Sequence, residues 1–366
     1  MIQLFHMCKG NCALLKIWEK NNMIYKNFEI HNAAELIHND DGSISWKRVP
    51  SSVHSKMESD QGKAMACNST GVELRFVIKG ESATVRMSTC NNDPHSFSTF
   101  HVFRGGIQGG WEDHEIHRHV TGEVQDFVIR KSWNSNTLKK ISDKYGYGFD
   151  SEVVRIIFDR GSYKIYDVLG DVTPPTDSQI PKKTLLSYGS SITHGSNSID
   201  QSHTWVGLLA HSLGMDARNL GMAGSCALEP AMADYIASEG EKGNWDIATL
   251  ELGINVLLWE DEKIRERTEN IINQVAGRNP DKPVFVISPF YHCGDENEED
   301  RAKVWRRIVE ETASRLNYKN VTYINGLDVL DNASYMSADE VHPNIYGVAR
   351  IAEVITSRVK QRLENA

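Results

Sequence analysis

Near residue 172 the chain changes rhythm, and that change calls for two folds rather than one. From about 25 to 172 the apolar residues alternate over short runs. Within 72–79, Leu74, Phe76 and Ile78 share one face, and 83–87 repeats the pattern. Runs at 100–103, 124–129, 153–158 and 163–168 follow, separated by turn residues such as Gly80, Asn91-Asn92-Asp93, Gly105-Gly106, Gly109-Gly110 and Asp159-Arg160-Gly161. Period-two runs of this length between turn signals make an antiparallel β-sandwich. Residues 173–182 then read as a linker, stiffened by Pro174-Pro175. From 183 to 366 strand-like runs at 184–188, 216–220, 246–252, 284–288 and 321–324 alternate with helical patterns. Trp205, Leu208, Leu209 and Leu213 recur at helical spacing, 263–276 and 302–316 are amphipathic, and a last helix spans about 345–363. Such βα alternation gives a three-layer α/β/α domain around a five-stranded parallel sheet with right-handed crossovers.

A chain of 366 residues with 40% hydrophobic content has room for two cores. Its net charge of −9, with no long basic run, argues against nucleic acid or an anionic membrane as partner. No apolar run approaches the roughly 18 residues that span a bilayer. Residues 1–24 read as an extension ahead of a 25–172 domain. Their short apolar stretch is broken by Lys16 and lacks a cleavage site, so they do not read as a signal peptide. The six cysteines follow neither a disulfide nor a zinc spacing, and reduced thiols in the cytoplasm are the expectation.

In an open parallel sheet, ligands bind beyond the carboxyl ends of the strands. The loops there hold the reactive residues. Strand one ends in Gly189-Ser190-Ser191-Ile192-Thr193, where a tight turn into a helix lifts Ser191 clear of the sheet as a candidate nucleophile. A serine hydroxyl needs a base, and the base needs an orienting partner. Asp339-Glu340-Val341-His342-Pro343 supplies both, with His342 as base and Asp339 as its orienter. Pro343 holds His342 extended, and Asn344 fits as the cap of the last helix. Gly224, after strand two, offers an unobstructed backbone N–H, and Asn255, after strand three, a side-chain amide. With the Ser191 N–H they could form an oxyanion hole. Each piece also has an ordinary reading as turn, surface pair or helix cap.

The four blocks together, and in this order, resemble the SGNH (GDSL-type) hydrolase superfamily over about 183–363. The resemblance implies a flavodoxin-like hydrolase domain with Ser191, His342 and Asp339 as triad and Ser191, Gly224 and Asn255 as oxyanion donors. Two departures stand out: Ser190 replaces the usual aspartate before the nucleophile, and Val256 the aspartate that often follows Asn255. The two-part layout is similar to carbohydrate esterases with a jelly-roll-like front domain. Expected, then, is a serine esterase acting on a short-chain acyl ester, acetyl being favoured and an acetylated sugar a plausible carrier. It would need no cofactor or metal and would lose activity as the base histidine is protonated. The alternatives are an acyltransferase with the same triad, or a carbohydrate-binding protein on an inactive scaffold. Rival residues carry less weight. His194 lies on the first helical turn after Ser191. The run from His114 to His119 looks metal-like but offers only His117 and His119 on one face. Cys226 suits a pocket wall, and Trp111, Trp133 and Trp259 could stack on sugars or simply pack.

Overall fold

The computed structural model describes residues 23–90, 98–113, 118–296 and 301–365. The sandwich comprises two antiparallel sheets. One carries Glu73–Ile78, Val153–Phe158 and Thr99–Arg104 at its centre; the other runs Gln125–Arg130, Ser82–Thr89, Tyr163–Leu169, Ile44–Lys47, Glu35–His38. Between them pack Phe28, Trp46, Leu74, Phe76, Val85, Met87, Ile156, Phe158 and Ile165. The strands Met23–Tyr25, Phe28–His31, Glu35–His38 and Ile44–Lys47, absent from the periodicity reading, are two hairpins that close the sheet edges. They are three or four residues long, too short to establish a period. A helix at Ser135–Tyr145, ended by Gly146 at φ 67°, is a further addition.

The parallel sheet has the order Asp216–Gly221, Thr184–Gly189, Ile247–Glu251, Val284–Ile287, Val321–Ile324. The first strand in sequence thus lies between the second and third, as in flavodoxin-like folds. The chain reverses direction across the sheet at its carboxyl end, where a crevice opens. Alternate residues of each strand face opposite layers. Leu186, Tyr188, Leu250 and Val286 pack under Pro230–Glu241, Asp261–Ile272 and Arg301–Leu316. Leu185, Ile247, Phe285 and Ile287 pack under Trp205–Leu213 and Ile345–Glu364. As expected, Asn344 caps the last helix, its side chain accepting from the N–H groups of Tyr346 and Gly347. No helix among the described residues is long and apolar enough to cross a membrane.

The strand Glu73–Ile78 is buried on both faces. Its apolar face fills the sandwich, and its polar face meets the α/β domain. There Arg75, fully buried, donates to Asp216 at 2.7 and 2.8 Å and to Glu73 at 2.8 Å, with Glu29 at 3.4 Å. A guanidinium this deep is tolerable only with its carboxylates in place. That pairing fixes the sandwich against the edge strand Asp216–Gly221.

Candidate active site

The first parallel strand ends at Gly189, where a Cβ would lie 2.2 Å from Thr193 Oγ1 and 2.6 Å from Glu251 Oε2. Only glycine leaves room for the turn. Ser190 caps the next turn, its hydroxyl accepting from the Ile192 N–H at 3.1 Å. The same hydroxyl donates to Glu251 Oε2 at 2.7 Å, as does the Ser190 N–H. Thr193 donates its hydroxyl to that oxygen at 3.0 Å. The turn that presents Ser191 is thus tied to one carboxylate at the end of strand Ile247–Glu251. This answers the first departure from the family pattern: Ser190 braces the turn in partnership with Glu251. Val256, the second departure, is buried in the core, and its carbonyl accepts from Trp305 Nε1 at 3.1 Å. Glu251 is fully buried. Burial pushes its carboxyl above the ordinary value, and the donors on Ser190 and Thr193 and the nearby His342 only partly offset this.

Ser191 Oγ lies 2.7 Å from His342 Nε2, and His342 Nδ1 lies 2.8 Å from Asp339 Oδ2. The partners fix the roles: Nδ1–H donates to the carboxylate, leaving Nε2 to accept from the serine hydroxyl. Asp339 also accepts from the N–H groups of His342 at 2.9 Å and Val341 at 3.0 Å and from Ser337 Oγ at 2.8 Å. Asn197, at φ 62°, adds a donor to Oδ2 at 2.9 Å. Partial burial raises the carboxyl, but these donors outweigh it and hold Asp339 well below the ordinary carboxylate range. It is anionic at neutral pH.

Gly224 sits exposed in a turn at φ 67°, with nothing within 4 Å of where a Cβ would stand. The backbone conformation, not crowding, is what favours glycine there. Asn255 accepts from the Cys226 N–H at 3.0 Å through Oδ1, which leaves its NH2 as a donor. Ser191 opens its helix, so its N–H has no intrahelical acceptor. The structure thus brings Ser191, His342 and Asp339 into hydrogen-bonding contact and leaves the Ser191 and Gly224 N–H groups and the Asn255 amide unspent on protein acceptors among the described residues. The hydrogen-bonded Ser191–His342–Asp339 chain is arranged to move a proton from serine to imidazole.

The rival residues fall elsewhere. His194 is fully buried with both ring nitrogens engaged, by Asn68 and by the Ala223 N–H. Cys226 is buried, donates to the Glu251 carbonyl at 3.8 Å, and has its thiol pushed up by burial, so it forms part of the wall. His114 and His117 lie outside the described residues; His119 is exposed, and no metal-holding cluster occurs among the described residues. Trp111 and Trp133 are largely exposed, whereas Trp259 packs against the core with Lys263 Nζ 3.9 Å from its ring centre. The residues sequence reasoning missed are Glu251, Asn197 and Ser337. A carboxylate closing an otherwise apolar strand was the available signal for Glu251; the other two look like ordinary turn residues.

Residues 182–360 match the model of the GDSL-like lipase/acylhydrolase family. No curated protein matches the chain. Solved structures share its whole layout at low identity. A salicylyl-acyltransferase from a tetracycline biosynthetic pathway is 18% identical, covers 94% of this chain and 97% of its own, and has a TM-score of 0.74. A protein described as a GDSL-like lipase from Bacteroides ovatus is 18% identical, with coverages of 92% and 98% and a TM-score of 0.65. A family two carbohydrate esterase from Cellvibrio japonicus is 12% identical, with coverages of 92% and 95% and a TM-score of 0.62. At these identities the likeness is one of fold.

Proposed function

Since the α/β half of this chain is an SGNH hydrolase domain of the GDSL-like lipase/acylhydrolase type, we propose that the protein is a serine esterase that removes short acyl groups, acetyl above all, from a small alcohol such as a sugar. The reading rests on one observation, the contact of Ser191 Oγ with His342 Nε2 at 2.7 Å, backed by Asp339 at 2.8 Å. Ser191 Oγ attacks the ester carbonyl carbon while His342 Nε2 takes its proton. The Ser191 and Gly224 N–H groups and the Asn255 amide hold the carbonyl oxygen as it gains charge. His342 returns the proton to the leaving alcohol, and the acyl group stays on Ser191. Water, deprotonated by the same imidazole, then attacks the acyl-enzyme and releases the acid. The sugar is the least constrained part of this reading. A carbohydrate esterase shares the fold, and Trp111 and Trp133 are exposed aromatics of a kind that can stack on sugar rings.

Hydrolysis of p-nitrophenyl acetate by the native protein and its loss in Ser191→Ala is the expected result. Equal rates would refute the mechanism and favour a binding protein on an inactive scaffold. A panel of acetylated sugars against short aryl esters then tests the alcohol. The acyltransferase reading has one point in its favour, the fold shared with an acyltransferase. It requires that added alcohol divert the acyl group from water, which product analysis reads directly. We further place the protein in the cytoplasm. The cysteines at 67, 90, 226 and 293 are free, which suits a reducing compartment. Recovery in an extracellular fraction of the native host would contradict this.

A further inference from the structure

The turn that carries Gly224 is held from the other domain. His194 ends the short helix Ser191–His194 and is fully buried. Its Nδ1 accepts from the Ala223 N–H at 3.1 Å, one residue before Gly224. Its Nε2 lies 3.1 Å from Asn68 Oδ1, and Asn68 belongs to the sandwich. The acceptor role of Nδ1 requires the proton on Nε2, and the Asn68 carbonyl oxygen receives that proton. Asn68 is itself fixed: the same oxygen accepts from Thr70 Oγ1 at 3.1 Å and from the Gly161 N–H at 3.3 Å.

A second group grips the same segment. Arg48, also of the sandwich, is fully buried and, among the described residues, donates to carbonyls alone: Asn68 at 2.9 Å, Met65 at 2.6 Å, Asn219 at 2.8 Å and Gly221 at 3.0 Å. Asn32 adds a donor to the Asn219 carbonyl at 3.0 Å. Asn219 and Gly221 close the strand that leads into the Gly224 turn. A buried cation is costly to keep without a carboxylate; among the described residues Arg48 has none, and its four bonds all go to backbone carbonyls.

We propose that the β-sandwich positions the oxyanion turn through the relay Asn68–His194–Ala223 N–H, so that Asn68 and His194 are positioning residues for Gly224 and the sandwich is part of the catalytic unit, not a detachable module. This rests on the esterase reading for Gly224. The relay works only with a neutral His194. A protonated ring would point a second N–H at the Ala223 N–H, donor against donor, and push the turn away. Burial holds the ring neutral, and the nearby cations Arg48 and Arg160 add to this. Asn68, neutral, accepts the Nε2 proton without drawing a second proton onto Nδ1. Aspartate there would do the opposite.

The test uses the full chain and p-nitrophenyl acetate. Asn68→Ala and His194→Ala should lower kcat about 10- to 100-fold, the scale of a displaced oxyanion donor, with KM changed less than about twofold. His194→Asn, which keeps an acceptor where Nδ1 stood, should recover part of that loss. Asn68→Asp, which keeps every acceptor and serves if the alanine variant does not fold, should move the acid limb of kcat to higher pH. In hydrogen exchange the amides of Met222, Ala223 and Ser225, which are hydrogen-bonded in the native turn, should lose protection in the alanine variants, while Thr184–Gly189 and Ile247–Glu251 keep theirs. Unchanged kcat with unchanged exchange at Met222, Ala223 and Ser225 overturns the proposal. So does deprotection spread evenly over the sheet, or an acid limb in Asn68→Asp identical to the native one. If Ser191→Ala proves as active as the native protein, the esterase reading fails separately, and the exchange data alone decide whether the sandwich holds the turn.

Discussion

Replacing Glu251 separates what the buried carboxylate does for stability from what it does for chemistry. Its Oε2 accepts from the Ser190 N–H, the Ser190 hydroxyl and the Thr193 hydroxyl, while Oε1 is buried with no hydrogen-bond partner among the described residues. Glu251→Ala strands those donors. At about 1–3 kcal/mol for each buried unsatisfied group, and with water able to enter the vacated space, the loss should be about 3–5 kcal/mol. Glu251→Gln keeps one acceptor oxygen for them. It also removes a cost, because burial raises this carboxyl above its ordinary value of 4.5. A raised acid in the folded state means that stability declines as pH climbs above about 4.5 and the group is forced to ionise. The glutamine variant has no such decline, so its stability relative to the native protein should improve with rising pH and lie within about 1 kcal/mol of native near neutrality. Its chemistry should suffer nonetheless. The Glu251 charge interacts with His342 and favours the imidazolium formed during acyl transfer. Losing about 1 kcal/mol of that stabilisation is about a fivefold drop in kcat. Urea unfolding of the three proteins across pH 4.5–8, alongside p-nitrophenyl acetate kinetics, measures all of this. The reasoning is refuted by an alanine variant as stable as native, or by a glutamine variant whose relative stability worsens as pH rises.

Other outcomes follow from the same geometry. Asp339→Asn should lower kcat by about 10²–10⁴ with little change in fold, since an amide no longer fixes the His342 tautomer or stabilises its charged form; steady-state kinetics and circular dichroism check this. Arg75→Met should cost about 3–5 kcal/mol near neutral pH, because it leaves Asp216 and Glu29 buried and short of their cation. Burial alone would raise both carboxyls, but Arg75 holds Asp216, and Arg155 followed by Arg75 holds Glu73, below their ordinary values, Glu73 at about 2. Stability from such groups is present above the unfolded pKa and is lost as pH falls through the folded one. The gap between native and Arg75→Met should therefore narrow between about pH 5 and pH 2 in urea titrations.

The local sequence went far in this protein. The period-two runs, the Pro174-Pro175 break and the βα alternation were enough to expect an antiparallel sandwich followed by a parallel sheet, because an apolar face must be buried and its spacing reports the element that buries it. The same logic placed Ser191, Gly224, Asn255 and His342 on loops at one end of that sheet. Asp339 lies three residues from His342, so that pair too was readable locally.

Apart from the Ser191–His342 contact, what escaped was the pairing of distant polar residues. Glu251 reads as the last residue of a strand until Ser190 and Thr193 fold onto it. Arg75 sits on the polar face of an alternating strand, which a free sandwich would give to water; only the arrival of Asp216 makes it a buried clamp. Asn68 and His194 are 126 residues apart. Periodicity records which side of an element shuns water. It carries no trace of which second surface will cover the side that does not, and here that covering joined two separately legible halves around one site.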